Sequence, residues 1–334
     1  MNPEDFLAGA MTRRSALGAT AALLGLASGQ ASAQMMESLR IVAGFPPGGT
    51  VDTVSRRLSE RLRGRVAASA LVDTRTGAGG QIAAQLVKAA APNGTTLLLT
   101  PASIMMIYPH TYKSLAYNPF TDFVPVSLAG SFEYAFAVGP AVPMGVKTLQ
   151  DYLAWCRANP AMANFGSPAS GSVPHFVGEL LGRAGGVKMT HVAFRGTQPA
   201  VQDMAAGQIQ AVCATVGDFT QMVAAGKARV LATTGAKRSR FAPAVPTLAE
   251  QGFADLVFDE WFGVYAPAGT PAATVQTLST AIRAAFAEPE LVDGIAMLGV
   301  EPLASTPAVL AERLRSDSER WRGIVRTIGF SAEG

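Results

Sequence analysis

The residues best placed to do chemistry form a glycine-rich loop at positions 45–52, which reads FPPGGTVD. Its adjacent glycines, Gly48 and Gly49, let the backbone approach a ligand closely. A helix is predicted to begin near Val51, and the first turn of a helix presents unpaired N–H groups at its positive dipole end. Such a loop can hold a carboxylate without any arginine. The alternative is a plain strand–helix turn in which Thr50 or Asp52 caps the helix.

A second loop of the same kind occupies positions 164–172 and reads NFGSPASGS. It lies between a predicted strand and a predicted helix, its serine hydroxyls can donate or accept hydrogen bonds, and its glycines allow close approach. Two helix N-termini that face each other across a cleft would suit a carboxylate well. The alternative is a cluster of turns in which Ser172 caps the helix.

Residue patterns typical of enzymes are missing from the sequence. The loop at 75–80, RTGAGG, fails the G-x-G-x-x-G spacing of nucleotide-binding loops because position 82 is isoleucine, and neither a P-loop nor a G-x-S-x-G elbow occurs. The histidines His110, His175 and His191 form no paired metal motif, so we interpret each as a capping or core residue. Carboxylates are few and unclustered. The sequence therefore predicts a binding protein with no catalytic residues, no cofactor and no metal.

Composition excludes further classes of protein. The net charge is only +3 and no long run of lysine or arginine occurs, so nucleic-acid binding is not expected. Hydrophobic residues make up 49% of the 334 residues, enough for two lobes or one large α/β domain. Beyond the N-terminus, no segment approaches the ~18 continuous apolar residues of a membrane span.

The first 33 residues predict an export signal. Arg13 and Arg14 precede an apolar stretch at 18–27, and the Ala-Ser-Ala sequence ending at Ala33 matches an A-x-A cleavage site. Paired arginines fit a twin-arginine signal, while ordinary Sec signals also carry arginines. The alternative is a retained membrane anchor, for which the apolar stretch is short. We therefore expect a periplasmic protein cleaved after about Ala33.

The elements that position the two loops alternate between strand and helix. The predicted strands lie at 39–44, 70–72, 97–99, 163–165, 189–193, 211–214 and 230–233. The predicted helices follow Val51 and lie at 82–90, 148–158, 174–183, 199–206, 271–287 and 307–328. This alternation predicts an α/β fold with a mostly parallel sheet and helices on both faces.

Two extended stretches, at 123–138 and 257–265, interrupt the alternation. We interpret them as strands that cross between two lobes, one formed by residues 38–134 and 262–334 and the other by residues 135–261. Ligands of open α/β sheets bind outside the carboxyl ends of the strands, so the loops after the strands should face a cleft between the lobes.

Cys156 and Cys213 are the two cysteines of the chain. Export would permit a disulfide, but the spacing alone does not show whether their Cα atoms lie close enough to pair. Both lie in apolar surroundings, which favours two buried free thiols.

The chain resembles the Bug-type extracytoplasmic solute receptors of tripartite tricarboxylate transport systems, the TctC-like family. Besides the two loops, the matching segments are RTGAGG at 75–80, NPFTDFVPV at 118–126, HVAFRG at 191–196, VPTLAEQG at 245–252 and WFGVYAPAGTP at 261–271. Each segment alone is weak evidence for this family, whereas their joint order from Ile41 to about Val325 is specific to it. The resemblance implies a two-lobed type II periplasmic-binding-protein clamshell.

The resemblance also implies a ligand carboxylate held by backbone amides and ordered water near the first loop. Polar residues of the second loop would assist, and residues after the third strand and after the 211–214 strand would reach the distal part of the ligand. The expected ligand-binding residues are Phe45, Pro47, Gly48, Gly49, Asp52, Thr100, Ser103, Ser167, Gly171, Ser172, His175 and Asp218. Asp218 would accept from an amino or hydroxyl group, or else cap its loop. Pro47 and Pro168 depart from the usual family pattern, which leaves the identity of the ligand open.

The resemblance implies a periplasmic receptor for a di- or tricarboxylate or related organic acid. It would be a monomer, would bind no nucleic acid, and would deliver its ligand to the membrane subunits of a tripartite tricarboxylate transporter. The alternatives are a ligand-binding sensor subunit of a signalling protein and an enzyme built on the same clamshell.

Overall fold

The computed structural model describes residues 35–332, so the predicted export signal lies outside the described residues. The strands are β1 Met36–Ala43, β2 Ala67–Thr74, β3 Thr96–Pro101, β4 Phe123–Val138, β5 Asn164–Ser167, β6 Thr190–Ala193, β7 Ala211–Thr215, β8 Arg229–Thr233, β9 Asp259–Pro267 and β10 Glu301–Ala304. The helices are α1 Thr50–Leu62, α2 Gln81–Lys88, α3 Ala102–Met106, α4 Tyr108–Thr111, α5 Leu149–Ala158, α6 Val173–Ala184, α7 Thr197–Ala205, α8 Thr220–Ala224, α9 Ala272–Ala285, α10 Pro289–Ala296 and α11 Pro307–Ile328.

The described strands form a mixed sheet with the main order β2-β1-β3-β9-β4-β7-β5-β6, and β8 and β10 also pair with β4. In one half β1 is parallel to β2 and β3, and in the other half β5 is parallel to β6 and β7. The crossing strands β4 and β9 are antiparallel to each other and to their outer neighbours β7 and β3. The α/β fold is confirmed. The sheet has more antiparallel pairs than expected, because the chain leaves one half along β4 and returns to it along β9 in the opposite direction.

Strand β4 belongs to both halves of the sheet. Its residues from Phe123 to Glu133 pair with β9, and its residues from Tyr134 to Val138 pair with β7 and β8. The bounds predicted from the extended pattern at 123–138 are confirmed. The change of partner near Tyr134 marks where the chain passes from one half to the other.

The segment from 289 to 304 contains two elements that the sequence pattern did not predict, α10 and β10. Strand β10 pairs antiparallel with β4. The short helices α3, α4 and α8 were also missed, because four or five residues carry too little periodicity to recognise.

The core packs large rings from the crossing strands against the helices. Trp261 of β9 is fully buried, and its indole Nε1 donates to the Asp317 carboxylate of α11 at 2.8 Å. Cys156 and Cys213 are both buried free thiols, and burial raises the pKa of each. Within residues 35–332, no helix is long and apolar enough to cross a membrane.

Candidate functional site

A cleft with about 650 Å³ of empty space, open to solvent, lies where the two halves of the sheet meet. Loops that follow β1, β3, β5 and β6 line it together with the end of β7, as expected for ligand sites outside the carboxyl ends of strands. The lining residues are Phe45, Pro46, Gly49, Thr50, Val51, Pro101, Ser103, Ile104, Tyr108, Phe132, Tyr134, Pro168, Ala169, Ser172, Pro174, Thr197, Gln198, Thr215 and Phe262.

Helix α1 begins at the cleft without a side-chain cap. Its N-cap residue is Gly49. The sequence had suggested Thr50 or Asp52 as the cap, but neither occupies that position, and no side chain of the described chain caps the helix. Asp52, in the first turn, instead turns back and accepts from the Gly48 backbone N–H at 3.1 Å. The start of α1 therefore presents backbone N–H groups beside the cleft.

The Asp52 carboxylate supports the loop from behind and is not among the residues that line the cleft. It also accepts from Arg56 Nε at 2.9 Å and from Thr74 Oγ1 at 3.3 Å. Burial acts to raise the pKa of Asp52, but the hydrogen bonds from Arg56 and Gly48 outweigh it and lower the pKa below 3.8. Asp52 is therefore an ionised structural residue at neutral pH.

Helix α6 also begins at the cleft, with Ser172 as its N-cap residue. The Ser172 hydroxyl donates to the carbonyl of Ala169 at 2.7 Å, so Ser172 does not cap the helix with its side chain. The Val173 N–H donates to the Ser103 hydroxyl at 3.1 Å, and Pro174 has no N–H to offer. Helix α6 thus contributes fewer free donors than α1.

Helix α7 provides a third start at the cleft, which sequence reasoning missed because it began this helix at 199. Its N-cap is Gly196, at φ +105°, where a Cβ would lie 2.7 Å from Pro46 Cδ. Within residues 35–332 no side chain caps this helix, and its first residues, Thr197 and Gln198, line the cleft. Pro199 is the third helical residue, and since proline is tolerated in a first turn, it signals a helix that begins slightly earlier.

Asp218 lies behind the starts of α1 and α7. Its Oδ1 accepts from the Thr50 hydroxyl at 3.1 Å and from the Gln198 amide at 3.5 Å, and its Oδ2 is enclosed without a partner among the described residues. Burial raises the pKa of Asp218 to about 6, against the opposing hydrogen bond from Thr50. When ionised, Asp218 offsets part of the positive potential of these helix starts.

Glu260 of β9 is a buried acid that sequence reasoning missed, although a glutamate within the apolar run of β9 was a signal. Its Oε1 accepts from the Ser103 backbone N–H at 2.6 Å, and its Oε2 accepts from the Tyr134 hydroxyl. Burial raises the pKa of Glu260 to about 7. Ser103 and Tyr134 both line the cleft, so this carboxylate lies directly behind the wall.

The two histidines of the second half stabilise the second loop. His175 Nδ1 accepts from the Gly171 N–H at 3.0 Å, and His191 Nε2 is bonded to the Ser167 hydroxyl at 2.7 Å. Their rings stack with centroids 3.8 Å apart. Burial lowers the pKa of His175 to about 3 and that of His191 to about 4, so both are neutral at pH 7.

The family model described as "Tripartite tricarboxylate transporter family receptor" matches residues 54–330. The chain belongs to this receptor family. A UPF0065 protein from the tcbD-tcbE intergenic region of Pseudomonas sp. strain P51 is 33% identical to the receptor over 285 residues, which is 85% of this chain and 84% of that protein.

Solved structures agree with this assignment. The periplasmic binding protein BugD is 27% identical and superposes with a TM-score of 0.83 over 89% of the receptor and 99% of its own chain. Rpa4515 of R. palustris with adipate is 29% identical, with a TM-score of 0.83 over 88% and 98% of the two chains. MatC from Rhodopseudomonas palustris with bound malate is 27% identical, with a TM-score of 0.80 over 86% and 98%. The Bug-type resemblance and the periplasmic-binding-protein fold are confirmed.

The cleft of the receptor brings together only part of the predicted ligand-binding set. Those that line it are Phe45, Gly49, Ser103 and Ser172. Those that do not are Pro47, Gly48, Asp52, Thr100, Ser167, Gly171, His175 and Asp218. Thr100 is buried at the end of β3, and its hydroxyl has no partner among the described residues.

The rings of the crossing strands are the main lining residues that sequence reasoning did not place in the site. Phe132 and Tyr134 come from β4 and Phe262 from β9. Phe132 and Tyr134 lie two positions apart on β4, so their side chains share one face of the strand, and only the folded chain shows that this face borders a cleft.

Proposed function

We propose that this receptor captures a small carboxylate in the periplasm and presents it to the membrane subunits of a tripartite tricarboxylate transporter. The observation that carries the proposal is the convergence of the starts of α1 and α7 on one cleft without side-chain caps in the described chain. Backbone N–H groups and the dipole at such starts stabilise an anion without a cationic side chain.

The chemistry of the neighbours supports this ligand class. Rpa4515 and MatC, which share the fold over most of their length, are solved with adipate and with malate. Both ligands are small carboxylic acids. A carboxylate is therefore the first class of ligand to test on this chain.

We further propose that residues 38–134 with 262–334 and residues 135–261 form two lobes that close on the ligand. The change of pairing partners along β4 near Tyr134 supports a boundary there. The Phe45–Gly49 loop already approaches the start of α7, where Pro46 lies next to Gly196. Hinge closure about β4 and β9 would change the distance between this loop and the start of α7.

The receptor is proposed to bind without catalysis, as an exported monomer whose signal is removed after about Ala33. The side chains with nucleophilic or basic chemistry support a binding role. His175 and His191 hold the second loop, and the Cys213 thiol is fully buried with its pKa raised by burial. None of these groups lines the cleft within residues 35–332.

A matched pair of variants at Thr50 tests the role of the α1 start. Thr50→Pro removes both the hydroxyl and the N–H at the first helical position, where proline fits, whereas Thr50→Val removes only the hydroxyl. Because a hydrogen bond to a charged group contributes ~1.5–3 kcal/mol, Thr50→Pro should bind a carboxylate at least about tenfold more weakly than Thr50→Val.

Isothermal titration calorimetry of both variants and the wild type gives these affinities, with thermal melting as the check that both variants fold. The wild type should bind a panel of organic acids and not their neutral amides. Equal affinity for acids and amides would contradict carboxylate capture, and equal acid affinity of the two Thr50 variants would remove the α1 start from the site.

A further inference from the structure

The wall of the cleft is dominated by rings and other apolar side chains. Phe132 packs on Phe262 with ring centroids 4.5 Å apart and meets Tyr134 edge-on at 5.5 Å. Phe45 and Tyr108 add further rings to the lining. The apolar part of this wall can bury the body of a ligand. The lining hydroxyls of Thr50, Tyr134 and Ser172 already donate to Asp218, Glu260 and the Ala169 carbonyl, so their protons are not free for a second carboxylate.

Cationic side chains are absent from this wall. Among the described residues that line the cleft, none is lysine, arginine or histidine. Arg195 lines an adjoining cavity that shares Phe45, Pro46 and Pro168 with the cleft, and it is exposed at that rim. A second carboxylate inside the cleft would therefore have no cation to pair with.

Two acids, the buried Glu260 and the partly buried Asp218, lie behind the polar part of the wall instead. Glu260 is bonded to Ser103 and Tyr134, and Asp218 is bonded to Thr50 and Gln198. Each acid is thus one side chain behind a lining residue. Like charges separated by a low-dielectric wall repel more strongly than they do in water, so each added ligand carboxylate is disfavoured.

We propose that the cleft selects a monocarboxylate with an apolar or aromatic body, and that Glu260 and Asp218 disfavour a second carboxylate. The inference rests on the proposed function, since it assumes that one carboxylate is held at the helix starts. It also sets this receptor apart from Rpa4515, which is solved with the dicarboxylate adipate.

Probes that differ by a single group test the inference. We would titrate the purified protein, freed of co-purified ligand, with hexanoate against adipate and with benzoate against terephthalate at pH 8, and with hexanamide and benzamide as neutral analogues. Within each acid pair the monocarboxylate should bind at least about tenfold more tightly, which corresponds to about 1.4 kcal/mol.

A variant pair isolates the buried acid. Glu260→Gln should narrow the preference for the monocarboxylate at least about threefold, since it removes the charge behind the wall. Glu250→Gln, at an exposed glutamate paired with Arg238, should leave the preference unchanged. An unchanged preference in Glu260→Gln would overturn the role of this residue.

The outcomes separate the inference from the proposed function. Equal or tighter binding of the dicarboxylates would overturn the inference and leave carboxylate capture standing, and loss of that tight binding in Arg195→Gln would place the second carboxylate at the rim. Equal binding of amides and acids would overturn carboxylate capture itself. Failure of all six probes to bind would overturn the inference.

Discussion

Replacing Glu260 by glutamine tests whether the receptor contains a buried acid that opposes folding at neutral pH. The residue is completely buried, and burial raises its pKa to about 7 from the ordinary value of 4.5. The folded protein therefore keeps a proton on this carboxyl at pH values where the unfolded chain has released it. Glutamine keeps the shape of the side chain and an oxygen that accepts from the Ser103 N–H.

The sign and size of the effect follow from the two pKa values. Below pH 4.5 the carboxyl is protonated in both states, so Glu260 carries no charge penalty there. Between pH 4.5 and about 7 the folded state binds the extra proton, and the free energy of unfolding falls as the pH rises. At about 1.4 kcal/mol for each pKa unit, the accumulated penalty above pH 7 is on the order of 3 kcal/mol.

Urea unfolding of the wild type and of Glu260→Gln at pH 4.5 and pH 8 measures this penalty as a difference between the two proteins. The stability of Glu260→Gln relative to the wild type should rise by on the order of 3 kcal/mol from pH 4.5 to pH 8. Glu250→Gln serves as a control of opposite sign, because the Thr247 N–H and Arg238 lower the pKa of that exposed carboxyl. A relative stability of Glu260→Gln that stays constant or falls with pH would refute the reasoning.

Three further predictions concern the helix starts and the second loop. Gly196→Ala should weaken carboxylate binding at least about tenfold in calorimetry, because the added Cβ would lie 2.7 Å from Pro46 Cδ. The control Gly226→Ala, at φ +67° with nothing near the added Cβ, should retain wild-type affinity. Similar losses of affinity in both variants would refute the steric explanation. The affinity of the wild type for an acid ionised throughout should fall as the pH rises from 5 to 8, because Asp218, with a pKa of about 6, and Glu260, with a pKa of about 7, become ionised behind the cleft. Asp218→Asn should reduce this dependence and leave the part due to Glu260; an undiminished slope would exclude Asp218 as a source. His191, whose pKa is lowered to about 4, contributes stability that is present above pH 6.5 and lost as the pH falls toward 4. The melting temperature of His191→Asn should therefore depend less on pH in that range than that of the wild type, and an equal dependence would contradict a partly buried neutral ring.

The elements of the fold could largely be predicted from local patterns. The extended run at 123–138 and the helix at 307–328 both have the bounds that their patterns indicated. What local pattern could not show is direction, since nothing within β4 or β9 reveals that each runs antiparallel to a neighbour far away in sequence. The parallel pairs, by contrast, follow from strand–helix–strand succession.

The site was harder to predict because its geometry depends on contacts between distant segments. Thr50 and Asp52 were equally good caps in the sequence, and only the folded chain shows that Gly49 is the N-cap while Asp52 bonds Gly48 and Thr74. Glu260 accepts from Ser103, which lies 157 positions earlier in the chain, so its role could not be found from spacing. The glycine-rich loops were found because a close backbone approach leaves a trace in residue type.

A crystal structure of the receptor with a bound organic acid tests the central claim most directly. We expect the ligand carboxylate within hydrogen-bonding distance of backbone N–H groups at residues 50–51 or 197–198, with the body of the ligand against Phe132 and Phe262. A carboxylate paired with Arg195 at the rim, or a neutral ligand that occupies the helix starts, would contradict the account.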